Sequence, residues 1–179
     1  MVRLTTARLL LRPHAIGDEA LYRAFWGADV PPIEGLTSIA PLDAELAFAR
    51  LLRFIGHWSV YGFGPFVVEE LATGRIVGEV GFAHMRRGNG ADFDTAPEAM
   101  WKIDGELNGK GVATEAVEAA TRWFDRSGIS PRTVCMIDPL NSPSLAIAAR
   151  FGFRPFRETT FREHPIRLFE RVGGSQVSG

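Results

Sequence analysis

Between Asp104 and Trp123 the chain reads Gly-Glu-Leu-Asn-Gly-Lys-Gly-Val-Ala-Thr-Glu-Ala-Val-Glu-Ala-Ala-Thr-Arg, and few folds accommodate that order. Two glycines flank a lysine and open a helix. Val112, Ala116, Ala119, Ala120 and Trp123 recur at three- and four-residue spacing, while Glu115, Glu118, Arg122 and Asp125 fall on the opposite side. A helix start presents backbone N–H groups without intrahelical acceptors and the positive end of the helix dipole. Glycine lets an anion approach that backbone with no Cβ in the way. The stretch is therefore either an anion cradle or an ordinary turn, and its flanks must decide.

Those flanks are strands. Residues 98–104 alternate, with Trp101 and Ile103 on one side and Met100 and Lys102 on the other; residues 133–137 form a β-branched run suited to a sheet interior. Strand, glycine turn, helix ending near Gly128, strand: a βαβ unit lies late in the chain. Upstream, Leu9, Leu10 and Leu11 form a short strand stopped by Pro13. Asp18 is expected to cap a helix to about Ala28 with Leu21, Ala24, Phe25 and Ala28 as its apolar stripe. A second helix over 43–58 buries Ala47, Leu51, Phe54, Ile55 and Trp58, leaves Glu45, Arg50, Arg53 and His57 for the wet face, and is closed by Gly62, Phe63, Gly64 and Pro65. Strands over 66–71 and 75–85 make a hairpin around Gly74, and the polar, glycine-rich 86–96 is expected to be a mobile loop. Downstream, Ser142 as N-cap with Pro143 at the first position opens an alanine-rich helix to Arg150. Strands over 154–160 and 166–172 follow, joined near His164 and Pro165. The expectation is one α+β domain over 1–173, with a frayed tail over 174–179.

At 179 residues such a chain buries roughly 70% of the surface its unfolded form exposes. Its 20 basic and 21 acidic side chains nearly cancel, so no global field draws it to nucleic acid. Cys135 stands alone and no leader pattern opens the chain, which fits a reducing cytoplasm. No apolar run approaches the roughly 20 residues of a membrane span. His14, His57, His84 and His164 lack ligand spacing, and no metal site is expected. The Arg86 and Arg87 pair reads as a solvated cluster. Monomer and homodimer both remain open.

Three phosphate schemes compete for the central turn. A nucleoside-triphosphate loop needs four residues between its glycines and a hydroxyl after the lysine; here only three separate Gly105 from Gly109, and Gly111 follows Lys110. A dinucleotide fingerprint meets Thr114 where its third glycine belongs. The third scheme is a resemblance. Thr6 to Pro13, Gly74 to Phe82, Asn108 to Ala116, and Asn141 to Ser144 followed by Phe151, Gly152 and Phe153 together resemble the GNAT superfamily of acetyl-CoA-dependent N-acetyltransferases, particularly its ribosomal-protein N-terminal (Rim-type) branch. The resemblance spans nearly the whole chain and implies a GNAT-like fold: a mostly antiparallel sheet, two splayed parallel strands and flanking helices. Asn108 departs from the Gln, Arg or Trp common there.

By that resemblance the backbone of Asn108, Gly109, Lys110, Gly111, Val112, Ala113 and Thr114 holds the CoA pyrophosphate. The end of the preceding strand, Lys102, Ile103 and Asp104, pairs with the pantetheine arm, whose amides are spaced like a peptide's. Acetyl transfer to an amine, whether a protein N-terminus or a small molecule, requires a neutral nitrogen and a proton for the departing thiolate. An α-amine with pKa near 7.7–8.0 needs only mild base help. Glu98 is the first candidate base and Glu79 the second, each weighed against a merely solvated carboxylate. Ser144 is the candidate acid, weighed against a simple cap, and Asn141 would orient the cofactor. Cys135, in an apolar strand, reads as structural. A CoA-binding sensor without turnover is the alternative of a different class, and an NAD-type oxidoreductase a third.

Overall fold

The computed structural model describes residues 2–27 and 42–173. Eight strands form one sheet in the order β1-β2-β3-β4-β5-β6-β8-β7: β1 (Leu4–Thr5), β2 (Leu9–Pro13), β3 (Pro65–Glu70), β4 (Ile76–Ala83), β5 (Glu98–Ile103), β6 (Arg132–Ile137), β7 (Arg154–Phe161) and β8 (His164–Val172). Every neighbouring pair is antiparallel except β5 and β6. That parallel pair has a single register point, Glu98 opposite Val134, beside a bond from Val134 N–H to the Pro97 carbonyl at 3.0 Å. Beyond it the strands part, leaving residues 99–103 of β5 without a ladder to β6. The parting is the structural form of the splay that the sequence resemblance implied.

Among the described residues five helices cover the two faces: α1 (Glu19–Gly27), α2 (Ala44–Tyr61), α3 (Ala91–Asp94), α4 (Val112–Ser127) and α5 (Ser142–Arg150). Alternation along β4 and β5 sorts the faces. Phe82 stacks on Phe124 of α4 at 4.1 Å, while Glu79 bonds side chains of α1 and α2. On the α4 face Leu9, Leu11, Phe66, Val68, Val80, Val112, Ala116 and Ala120 form one buried cluster, which Phe124, Cys135, Ala148 and Phe153 continue toward α5. On the other face Tyr22, Trp26 and Leu51 pack together, with Phe54 against Ala83 and Met85.

Several expectations need correction. Asp18 does not cap α1. It ends a preceding 3-10 turn, where its carboxylate takes the Ala15 N–H at 2.8 Å and a two-point ion pair from Arg12. The buried stripe of α1 is Tyr22 and Trp26, not the expected one, and Leu21 is exposed; Ala28 lies outside the described residues, as does the expected frayed tail over 174–179. α2 runs on to Tyr61, because Gly62, at φ 71°, is the first residue that stops it. Arg50 and His57 of α2 face inward rather than to solvent. The 86–96 segment contains α3, which buries Phe93, so it is anchored rather than mobile. The turn between β7 and β8 is Arg162 and Glu163, both at positive φ, two residues before the expected place.

Candidate active site

Where β5 ends, Asp104 accepts the Glu106 N–H and starts a 3-10 turn. Asn108 then leads into Gly109 (φ 73°) and Gly111 (φ 74°) before α4 begins. Positive φ at both glycines is the reason this turn needs them. No side chain caps α4, and the first helical bond runs from Glu115 N–H to the Gly111 carbonyl at 3.1 Å. The N–H groups of Gly111, Val112, Ala113 and Thr114 therefore precede the helical ladder at an exposed loop, beside the open edge of β5. The residues fit an anion: a cradle without side chains, with the dipole's positive end behind it. Arg8, which the sequence reading missed, braces the loop. Its guanidinium donates to the Lys110 carbonyl at 2.9 Å and pairs with Glu115 at 2.6 Å, and it stands 3.7 Å from where a Gly111 Cβ would be. No sequence signal links residues 107 positions apart.

Across the parting, α5 brings Asn141 and Ser144 toward β5. Asn141, not Ser142, is the N-cap: its Oδ1 accepts the Ser144 N–H at 3.1 Å, which fixes the side chain at the start of α5. The Trp101 indole N–H donates to Ser144 Oγ at 3.2 Å, tying β5 to α5 over the cleft. With that oxygen already accepting, the hydroxyl proton of Ser144 is free to point elsewhere. Trp101 was placed on the correct face by alternation but not recognised as a site residue.

The two candidate carboxylates are both buried, contrary to the solvated reading weighed for each. Glu98 sits at the closed end of the parting, with both oxygens held by Arg87 Nε at 2.7 and 2.9 Å. Burial raises its pKa against the opposing pull of Arg87. Arg87 is thus an ion-pair partner and not part of a solvated cluster. Glu79 lies on the opposite face of β4 from α4. It accepts from Arg50 at 2.5 Å and from the Tyr22 hydroxyl at 2.5 Å, and it contacts His14 Nε2 at 3.2 Å. Against the cost of burial, Arg50 and His14 hold its pKa down at about 2. The structure therefore unites the loop, the end of β5 and Ser144 around one cleft, and keeps the two carboxylates away from each other. Cys135 is buried and its thiol pKa is pushed well up by desolvation, so it is no nucleophile. Among the described residues no three His, Cys, Asp or Glu side chains cluster for a metal.

The acetyltransferase (GNAT) domain model matches residues 8–154. A Bordetella pertussis protein assigned to the GNAT acetyltransferases is 33% identical over 96% of this chain and 100% of its own, with a TM-score of 0.85. The chain belongs to the GNAT acetyltransferase family. Its fold is shared more distantly by a ribosomal-protein-S5-alanine acetyltransferase from Vibrio fischeri (19% identity, 97% of both chains, TM-score 0.74). It is shared also by a Salmonella typhimurium acetyltransferase solved with its cofactor acetyl-CoA (16% identity, 96% of this chain and 97% of the other, TM-score 0.69). As a GNAT enzyme the protein is an acetyl-CoA-dependent N-acetyltransferase. Among the described residues no helix is long and apolar enough to cross a membrane.

Proposed function

We propose that residues 1–173 make a single cytoplasmic acetyltransferase domain that acetylates a primary amine, on a protein N-terminus in the manner of the Rim-type branch or on a small molecule. The observation that carries this reading is the parting of β5 from β6 directly beside the uncapped start of α4. The amides of residues 109–114 hold the pyrophosphate, and the open edge from Lys102 to Asp104 receives the pantetheine amides. Acetyl-CoA supplies an activated acyl thioester. Ser144, its Oγ held by the Trp101 indole, donates a proton toward the thiol side of the cleft. Glu98 is the better base of the two carboxylates, because burial moves its pKa toward neutrality while Glu79 is fixed as an anion near pKa 2. Arg87 occupies only part of the acceptor capacity of Glu98.

Free-thiol release from acetyl-CoA with a panel of small amines and peptide N-termini tests the reading. Turnover with at least one class is expected, and silence across the panel overturns it. Ser144→Ala should lower kcat by roughly 10²- to 10⁴-fold while leaving acetyl-CoA affinity within about twofold, in line with the size of general acid–base contributions. An unchanged kcat removes Ser144 from the chemistry.

A further inference from the structure

On the face of the sheet opposite α4, four elements and the segment after β2 converge on a buried polar cluster: His14, Tyr22 and Trp26 of α1, Arg50 of α2, Glu79 of β4 and Lys102 of β5. Among the described residues two cations meet one carboxylate here. Arg50 Cζ and Lys102 Nζ each lie 4.1 Å from the Trp26 ring, and among the described residues Glu79 is the one carboxylate bonded within the group. Asp104, near the end of β5, turns instead to Arg75 at 3.4 Å. Lys102 has the Phe25 carbonyl at 3.3 Å as its hydrogen-bond acceptor. Two donors shielded from solvent, Trp26 Nε1 and Arg50 Nε, have no partner among the described residues, and Trp26 is only 4% exposed. Buried donors without acceptors are costly, by about 1–3 kcal/mol each, so a site that keeps two beside an extra cation is built for an incoming acceptor group. Burial lowers the pKa of Lys102 and the neighbouring Arg50 adds to that, while Glu79 and Asp104 pull the other way.

The cluster's position relates it to the reaction. On the α4 side the sheet beside the parting is closed by Trp101, Val117, Thr121 and Phe153, which leave only a narrow crevice. The face that carries Met100 and Lys102 is the other approach to the open edge of β5. Resting on the acetyltransferase reading above, we propose that Lys102, Trp26 and Arg50 anchor a carboxylate borne by the acceptor, so that the enzyme's amine substrates are amino carboxylates or acidic peptide N-termini. Glu79, with Tyr22 and His14, orients Arg50 for that contact and is a positioning residue.

Calorimetric titration of the CoA-loaded protein with α-, β- and γ-amino carboxylates and their carboxamides tests the anchor without requiring turnover. A second arm uses peptides with Asp or Glu in the first two positions against Asn and Gln counterparts, and separates the two sources of the carboxylate. At least one carboxylate should bind 10-fold or more tightly than its amide. Trp26→Phe, which deletes the indole N–H and keeps an aromatic ring, and Lys102→Met should each remove most of that preference, with acetyl-CoA affinity in Trp26→Phe unchanged. Equal affinity for acids and amides in both arms, or a preference that survives both substitutions, overturns the proposal. Carboxylate-selective binding without thiol release would instead leave the anchor standing and sink the acetyl-transfer reading.

Discussion

Single residues decide whether this cleft works, and Gly111 is the clearest of them. At φ 74° a side chain is strained by about 1–2 kcal/mol, and a Cβ there would stand at the helix start, in the place the proposed cradle gives to the pyrophosphate. Gly111→Val should leave a folded protein, checked by circular dichroism, whose acetyl-CoA affinity by calorimetry is at least 10-fold weaker; an unchanged affinity removes the cradle. Other residues show how charge hides in apolar company. Arg50 lies three residues after Ala47 and four before Phe54, on the buried stripe of α2, so helical phase alone placed it inward. The sequence reading gave it to solvent because an arginine is seldom buried without a partner, and its partner Glu79 is 29 residues away on β4. Glu79 itself interrupts an otherwise apolar central strand, a signal in the sequence that something must neutralise it.

Among the elements, α4 and β5 were legible because their periods are strict and their ends are marked by glycine. The 86–96 segment was not. Its polar, glycine-rich composition hid the fact that α3 places Phe93 in a pocket with Ala96, Val134, Ile166 and Leu168 from three parts of the chain. Phe93→Ala should cost about 3–5 kcal/mol in urea unfolding, since the ring is 1% exposed and its neighbours belong to strands that cannot close over the gap. A loss below about 1 kcal/mol would restore the mobile-loop reading. α5 shows a smaller version of the same lesson. Asn, Ser and Pro in a row are all helix-start residues, and only the bond from Ser144 N–H to Asn141 Oδ1 selects the asparagine as the cap.

For the molecule as a whole, the buried ionisable groups set how stability responds to acid. Glu79 has a folded pKa of about 2 against 4.5 for the free group, and Asp18 is also lowered. Their contribution is complete above about pH 4.5 and is lost as pH falls toward 2; for Glu79 it is on the order of 3 kcal/mol. His57 adds to the same trend. Desolvation lowers its pKa, with Nδ1 at 2.6 Å from the Phe63 carbonyl and Nε2 accepting the His84 N–H at 2.9 Å, so protonation below about pH 6.5 opposes the fold. Glu98, raised by burial, works the other way and offsets part of the loss. Urea midpoints measured at pH 7, 5 and 3 should fall steadily, most steeply below pH 4.5, and Glu79→Gln should flatten that last step; a midpoint independent of pH would contradict the ion-pair assignment. The sequence by itself determined the order of the elements apart from β1 and α3, the glycine turn at the start of α4, and through the ordered resemblance the family and its acetyl donor. These are local properties, carried by period, backbone freedom and spacing. Only the tertiary structure decided that both carboxylates are buried and on whom each is spent, that Trp101 spans the cleft to Ser144, that Arg8 braces the loop, and that Arg50 and Lys102 meet at the Trp26 ring on the far face of β5. Those facts depend on side chains brought together from distant positions, and burial changes what each charge is worth in ways that no single stretch of chain contains.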